Sequence, residues 1–317
     1  MNENIPSKTV VVTGSAGFIG RHLIEALTSN KEVAYRVIEI DVAPQPPVTP
    51  VDISKDEQAL ADAIKQADEV YHLAGIENEE YLETHPADAT AQVQGTSNVL
   101  RLCYEFRKPV VIASSSAVYG PTQGKPFAET DRLKPETRYA DSKLREEDAA
   151  RQYASRGLKV GIARLFSIYG PGMEKAVTYK NPFISNTIIR LNGGMNPQIF
   201  DDPDAMRDFL YIDDAVQALI TIMKATVDGK KEIVHNVGSG SSIKMSKAAV
   251  TIAEIMLTQG QVGNIPQIRF TNTRDNLPKY SANTTRLHDL GWRQKASFAG
   301  GIAKTAASLV QVRIKRY

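Results

Sequence analysis

The sequence predicts an α/β fold in which a doubly wound parallel sheet is joined by a smaller C-terminal lobe. Short apolar runs rich in β-branched residues alternate with longer amphipathic segments, and a glycine-rich turn follows the first run. Such alternation implies parallel strands whose connecting helices cover both faces of the sheet. The nearly continuous apolar character of the runs agrees, because strands of a parallel sheet are buried on both sides.

The pattern places each element along the chain. Strands are predicted at 9–12, 36–41, 69–73, 109–113, 159–166 and 232–237, and helices at 18–29, 55–67, 86–106, 135–155 and 213–225. Ser54 and Glu57 have the spacing of a capping box at the start of the second helix. Beyond residue 166 the alternation loosens. We therefore assign 1–170 plus about 211–237 to the sheet domain and about 171–210 plus 238–317 to the smaller, substrate-binding lobe.

Composition excludes several classes of protein. Among 317 residues, 38 Lys and Arg against 36 Asp and Glu give a net charge of +2, which does not favour a nucleic-acid partner. No apolar run approaches the roughly 18 residues of a membrane span, and no signal peptide precedes the first strand, so a cytoplasmic protein without a membrane partner is expected. Cys103 is the only cysteine, and the five histidines lack metal-ligand spacing, so no metal site is predicted.

A glycine-rich turn between the first strand and the first helix predicts a dinucleotide site. Gly14, Gly17 and Gly20 form a G-x-x-G-x-x-G pattern, and the helix opens with Phe18 and Ile19. Glycine permits a tight turn and a close approach of backbone to a pyrophosphate. The helix N-terminus then offers free N–H groups and a partial positive charge to the phosphates. These residues indicate a Rossmann domain that binds a dinucleotide.

The second strand ends on an acidic residue that bears on the choice of cofactor. Asp41 lies 21 residues after Gly20, where a carboxylate accepts hydrogen bonds from the adenosine ribose. It would repel a 2′-phosphate, and Val42 and Ala43 beside it carry no positive charge, so NAD is predicted rather than NADP. The other residues assigned to the cofactor site are Asp52, Ile53, Leu73, Ala74, Gly75 and Ser114.

Two segments carry the predicted chemistry. Tyr139 and Lys143 are four residues apart on a helix and therefore share one face. A free phenol has a pKa of about 10, and a nearby ammonium together with a positive nicotinamide would favour the phenolate. Such a tyrosine can take a proton from a substrate hydroxyl and return it. Ser115, at the carboxyl end of the fourth strand, can hydrogen-bond the reacting oxygen, and Lys143 can hold the nicotinamide ribose.

With these residues in place, the chain resembles the extended short-chain dehydrogenase/reductases, in particular the NAD-dependent epimerase/dehydratase branch. The resemblance runs nearly end to end and includes the segments 114–120, 164–171, 207–214, 236–240 and 274–283. It implies that Ser115, Tyr139 and Lys143 are catalytic. It also implies a nucleotide-diphosphate sugar as substrate, bound by Ser116, Ser167, Arg207 and Arg274, and a homodimer formed through the two long helices.

The resemblance also narrows the reaction. Sugar 4,6-dehydratases of the branch carry an Asp-Glu pair after the catalytic hydroxyl residue, and its decarboxylases carry a glutamate at the second of these positions. Here the two positions hold Ser116 and Ala117. We therefore expect an epimerase, acting at C4 through transient oxidation to a ketone. A net NAD-dependent sugar dehydrogenase or ketoreductase is the alternative, and a cofactor-binding sensor without turnover is a third reading.

Overall fold

The computed structural model describes residues 6–43, 50–121, 124–175, 183–199, 203–265, 267–270 and 281–309. Its strands are β1 (Ser7–Thr13), β2 (Ala34–Ile40), β3 (Glu69–His72), β4 (Val110–Ser115), β5 (Val160–Leu165), β6 (Ser167–Tyr169), β7 (Gln198–Ile199), β8 (Met206–Arg207), β9 (Phe209–Tyr211), β10 (Val234–Val237), β11 (Ile243–Lys244) and β12 (Arg269–Phe270). Its α-helices are α1 (Phe18–Thr28), α2 (Glu57–Gln66), α3 (Glu79–Thr84), α4 (Pro86–Glu105), α5 (Arg138–Ser155), α6 (Phe183–Asn192), α7 (Ile212–Val227), α8 (Met245–Thr258), α9 (Thr285–Asp289) and α10 (Phe298–Leu309).

Six parallel strands form the central sheet in the order β10-β5-β4-β3-β1-β2. An isolated parallel bridge between Asp41 and Pro50 continues the pairing beyond β2, where a third strand would lie in the doubly wound order. The chain thus reverses direction of winding between β1 and β3. The predicted α/β Rossmann sheet is confirmed, including the return of β10 and α7 to the first sheet.

The sheet is buried on both faces because its strands point successive side chains to opposite sides. Val10 and Val12 pack with α1 and α7, whereas Val11 packs with α2 and α4 on the other face. All three valines are fully buried. This two-sided burial explains why the strands read as unbroken apolar runs in the sequence.

Beyond the sheet, three helices pack against one another: α6, α8 and α10. Their buried residues, such as Ile188, Ile252 and Ile302, are continuous with the apolar cluster on the α1 and α7 face. Two short strand pairings hold this region together: β6 pairs with β9 ahead of α7, and β8 pairs with β11, which joins the segments before and after α7. The division into a sheet domain and a smaller substrate-binding lobe stays a prediction.

Element ends differ from the predicted ones by a few residues, and one local prediction was wrong. Ser54 does not form a capping box with Glu57, because α2 begins one residue after Asp56 and has no side-chain cap. The Ser54 hydroxyl instead donates to Asp52, 2.6 Å away. Within the described residues no helix is both long and apolar enough to cross a membrane.

Candidate active site

The glycine-rich turn packs against the start of α1 and the end of β3. Gly14 has a φ of +72°, and a Cβ atom there would lie 2.6 Å from the backbone nitrogen of Ala74. A Cβ atom on Gly20 would overlap the carbonyl oxygen of Gly14. Glycine is required at both positions because backbone, which cannot move aside, occupies the space of a side chain.

The N-terminus of α1 suits a phosphate group. Its N-cap is Gly17, no side chain caps the first turn, and that turn contains no acidic residue. The nearby hydroxyl of Ser15 is buried and makes no hydrogen bond within the protein. Free N–H groups with a partial positive charge, beside an unpartnered hydroxyl, are the donors that a dinucleotide pyrophosphate needs. The residues present therefore fit NAD, with Gly14, Gly17, Phe18, Ile19 and Gly20 as the proposed pyrophosphate contacts.

Replacing Gly20 with alanine is expected to weaken NAD binding by about 10–100-fold, because the added methyl group displaces the turn at a cost of about 1–3 kcal/mol. Isothermal titration with NAD measures the effect. Gly263→Ala is the matched control, since nothing lies within 4 Å of its added Cβ and its φ is not positive. Equal affinities of the two variants would contradict the proposed position of the pyrophosphate.

Asp41 connects the end of β2 to the glycine turn. One carboxylate oxygen accepts from the backbone N–H of Ala16 at 3.0 Å, and the other accepts from Ala43 at 2.9 Å. Each carboxylate oxygen has a second lone pair, so Asp41 can still accept from a ribose hydroxyl. Its proposed contact with the ribose is thus compatible with its role in the turn.

The other residues assigned to the cofactor differ in how their side chains are used. Asp52 binds the Ser54 hydroxyl and forms an ion pair with Lys55 at 2.8 Å; hydrogen bonding with Lys55 is the main reason that its pKa falls to about 2. Ile53 packs on α4 at Gly95. Ser114 is buried and donates to Glu147 at 2.6 Å, so its hydroxyl can serve a cofactor only as an acceptor. The backbone of Leu73 and Ala74 lies against Gly14, and their cofactor contacts, like that of Gly75, remain proposals.

A cavity of about 430 Å³ opens near the carboxyl ends of β4 and β5. Five residues predicted from the sequence to bind or transform a substrate line it: Ser115, Ser116, Tyr139, Ser167 and Arg207. They come from β4, the turn after it, α5, β6 and β8. The sheet topology therefore assembles one site from segments that are far apart in the chain. Arg274 lies outside the described residues.

Tyr139 lies in the first turn of α5, where the Thr137 side chain caps the helix by accepting from Ala140 at 3.1 Å. It is buried, and the Ser115 side chain lies close to its hydroxyl. Burial raises the pKa of Tyr139 well above its ordinary value, Glu77, Glu146 and Glu79 raise it further, and the Ser115 hydroxyl lowers it. In the free protein the phenol is therefore protonated, and the phenolate expected beside a bound nicotinamide stays a prediction.

Lys143 lies one turn further along α5 and points toward β4. Its ammonium donates to the carbonyl oxygen of Ala113 and to Glu146, each at 3.1 Å. A Cβ atom on Gly75 would lie 3.1 Å from the Lys143 nitrogen, so the absence of a side chain at Gly75 leaves room for the ammonium. Tyr139 and Lys143 lie on the same helix as predicted, but Lys143 is not among the residues that line the cavity, and its ammonium is already paired with a carboxylate.

Two groups of charged residues in or near the site were not predicted from the sequence. Glu77 and Glu79 line the cavity from the segment between β3 and α3, and no motif marks them. Arg164 and Glu147 form a buried ion pair behind β4, with their closest atoms 2.7 Å apart. Arg164 and Glu147 are too far apart in the chain for their spacing to predict this pair. The position of Glu147, four residues after Lys143 on the same helix, was the one hint that it lies near the site.

A glycine turn that fits NAD, joined at one sheet edge to a cavity lined by Ser115 and Tyr139, defines an NAD-dependent Rossmann enzyme. The chain belongs to the NAD dependent epimerase/dehydratase family, whose model matches residues 10–238. It is 29% identical to the UDP-N-acetyl-alpha-D-glucosaminuronate decarboxylase of Bacillus cytotoxicus, over 94% of this chain and 96% of that protein. It is also 29% identical to the uncharacterized UDP-glucose epimerase YtcB of Bacillus subtilis, over 78% and 81%.

The fold is shared with the crystal structure of UDP-glucose 4-epimerase with UDP-glucose from Thermotoga maritima. The TM-score is 0.82 at 24% identity, and the match covers 95% of this chain and 98% of that one. This similarity supports the Rossmann architecture described above.

Proposed function

We propose that this protein is an NAD-dependent nucleotide-sugar epimerase that acts at C4 of the sugar. The observation that carries the proposal is the cavity in which Ser115, Tyr139 and Arg207 meet while Ser116 and Ala117 supply no acid or base. The names of the two 29% identical relatives, each of which refers to a UDP-linked sugar, support the substrate class. Arg207 has the planar donor set that suits a diphosphate.

The chemistry requires little more than a proton carrier next to the cofactor. Tyr139 accepts the proton of the sugar hydroxyl as the carbon is oxidised to a ketone, and returns it after the ketone turns to present its other face. Ser115, which lies with Tyr139 in the lining of the cavity, orients the reacting oxygen. Bound NAD supplies the acceptor, and then the donor, of the hydride.

The charge of the cavity supports a neutral sugar. Glu77 and Glu79 are the acidic residues of the lining, and Glu77 lies close enough to Tyr139 to raise its pKa. A carboxylate on the sugar, as in a uronate, would be placed near these like charges and disfavoured. This repulsion, together with the alanine at position 117, disfavours the decarboxylation named for the Bacillus cytotoxicus relative.

A second candidate function, elimination of water from the sugar, is favoured by the same two carboxylates. Elimination requires an acid and a base beside the oxidised carbon, and Glu77 and Glu79 stand in the cavity that holds Tyr139. Burial raises the pKa of Glu79, with Arg207 opposing, and a raised carboxyl pKa suits a general acid. A dehydratase of this kind would take its acid and base from Glu77 and Glu79 rather than from the positions of Ser116 and Ala117.

The experiment is to incubate the purified protein with UDP-, dTDP-, GDP- and CDP-hexoses and with UDP-glucuronate, after screening each for thermal stabilisation. We expect a neutral nucleotide-hexose to stabilise the protein more than the uronate. NMR should show inversion at C4. Mass spectrometry should show no change in the mass of the sugar nucleotide, and absorbance should show no accumulation of NADH. Loss of a water mass would favour the dehydratase, and stoichiometric NADH would favour the net dehydrogenase. Stabilisation by NAD without any conversion would favour a sensor.

We also propose a homodimer formed through α4 and α5, on the resemblance alone. The two helices pack side by side on one face of the sheet. Light scattering of the purified protein measures its oligomeric state.

A further inference from the structure

A buried ion pair lies beside Tyr139 on the same helix. The Lys143 ammonium and Glu146 Oε2 are 3.1 Å apart, and their side chains are only 5% and 1% exposed. Lys143 also donates to the Ala113 carbonyl oxygen. Since both charges are removed from water, each depends on the other for its stabilisation.

Glu146 is held in place from α4 as well. Its Oε1 accepts from the Gln92 side chain at 2.7 Å, while the Gln92 oxygen accepts from the backbone N–H of Ile76 at 2.8 Å. Both oxygens of Glu146 therefore have fixed donors. The carboxylate cannot turn away from Lys143 without breaking the bond to Gln92.

The groups around Tyr139 come from four segments. Glu77 follows β3, Glu79 begins α3, Ser115 ends β4, and Lys143 and Glu146 share α5 with the tyrosine.

Two further groups face this set. Arg207, on β8, acts on Glu79 across the cavity. His72, on β3, faces Lys143, and burial with that charge lowers its pKa to about 3, so it is neutral near pH 7. Lys143 is thus the positive group of this set that shares a helix with Tyr139, and Glu146 is bonded to it.

We propose that Glu146 is a positioning residue that pairs with the Lys143 ammonium and so holds the Tyr139 phenol in its protonated form until the cofactor is bound. The proposal rests on the proposed role of Tyr139 in proton transfer. An ammonium that is paired at 3.1 Å acts on a third group mainly as a dipole, which falls off faster with distance than a charge. Burial and the neighbouring carboxylates then keep the phenol protonated. Tyr139 can then accept a proton only when NAD is bound.

The test replaces Glu146 with glutamine, which keeps the shape and one acceptor oxygen but removes the charge. Unpaired, Lys143 should stabilise the phenolate, so the acid limb of the kcat/KM profile should move to lower pH by about one unit. Activity at a pH on that limb should rise about tenfold. Asp148→Asn is the matched control, because Asp148 is an exposed carboxylate on the same helix. It should leave the profile in place.

A second readout does not require turnover. Ultraviolet titration of tyrosinate, as the difference between a protein with Tyr139 and its Tyr139→Phe counterpart, reports ionisation of this phenol with and without NAD. In the Glu146→Gln background the ionisation should occur at lower pH. Because no substrate is needed, this result stands or falls separately from the epimerase proposal.

Glu146→Asp provides the graded comparison. Its carboxylate is one methylene further from Lys143, so both readouts should move in the same direction as in Glu146→Gln but by less. If Glu146→Gln does not fold, the aspartate variant carries the test. Profiles and titrations that coincide with the wild type, accompanied only by lower melting temperatures, would overturn the proposal and leave Glu146 with a structural role.

Discussion

Tyr139→Phe is expected to lower turnover by about 10²–10⁴-fold while leaving the fold and NAD binding nearly unchanged. The substitution removes only the hydroxyl that transfers the proton and keeps the buried ring. Even the loss of one hydrogen bond would cost only about 1 kcal/mol, so the melting temperature should change little. Steady-state kinetics on the best nucleotide-hexose, with NAD titration and thermal denaturation, measure the three quantities.

Tyr104→Phe is the matched control, because Tyr104 is 41% exposed on α4 and lies outside the cavity. It should retain full activity. Turnover by Tyr139→Phe at the wild-type rate would remove Tyr139 from the mechanism and with it the assignment of the cavity as the active site.

Arg164→Leu is expected to reduce the free energy of unfolding by up to about 3–5 kcal/mol, since it removes the buried partner of Glu147. The carboxylate would keep only the partly exposed Arg151, 2.9 Å away, and the Ser114 hydroxyl. The Arg164 guanidinium binds both oxygens of Glu147, at 2.8 and 2.7 Å, and also donates to the Tyr119 hydroxyl at 2.9 Å. Arg164 and Glu147 are 1% and 0% exposed. Urea denaturation measures the loss.

Arg145→Leu is the control for this prediction. Arg145 pairs with Asp141 one turn away on the surface of the same helix as Glu147, with a side chain 67% exposed. Such a pair contributes about 0.3–0.5 kcal/mol. Equal losses for the two variants would show that burial does not make the Arg164 pair more important than a surface pair.

The same ion pair predicts a dependence on pH. Burial opposes ionisation of Glu147, but hydrogen bonding and the charge of Arg164 more than offset it and lower the pKa of the carboxyl. A lowered pKa in the folded state contributes stability that is present above the ordinary value of 4.5 and is lost as the pH falls through the folded value. Without Arg164 the pKa of this carboxyl would rise, because only Arg151 and Ser114 would still oppose the effect of burial. The difference in stability between wild type and Arg164→Leu should therefore narrow on acidification.

The architecture could be predicted because its signals are local. Apolar runs and amphipathic segments reveal strands and helices through near-neighbour periodicity, and the turn from Gly14 to Gly20 requires glycine for steric reasons within a few residues. The position of Tyr139 and Lys143 on one face of a helix follows from helical geometry alone. The capping box at Ser54 failed because α2 begins only after Asp56, which places Ser54 outside the helix.

Glu146 illustrates the boundary between the two kinds of information. Its spacing of three residues from Lys143 was visible in the sequence, and the spacing permits an ion pair on any helix. Burial of both side chains, and the bond from Gln92 on another helix, turn a weak surface interaction into one that affects Tyr139. Burial of this kind depends on how α4 and α5 pack.

By itself, the sequence determined the order of strands and helices, the glycine turn, the acidic end of β2 and the placement of Tyr139 and Lys143 on one helix face, because each depends on residues that are neighbours along the chain. Only the tertiary structure decided that Glu77 and Glu79 face Tyr139, that Glu147 binds Arg164 and that the Lys143 ammonium is already paired. The physical reason is that charge–charge interactions depend on distance in space and on exclusion of water. Both are set when segments far apart in the chain pack together.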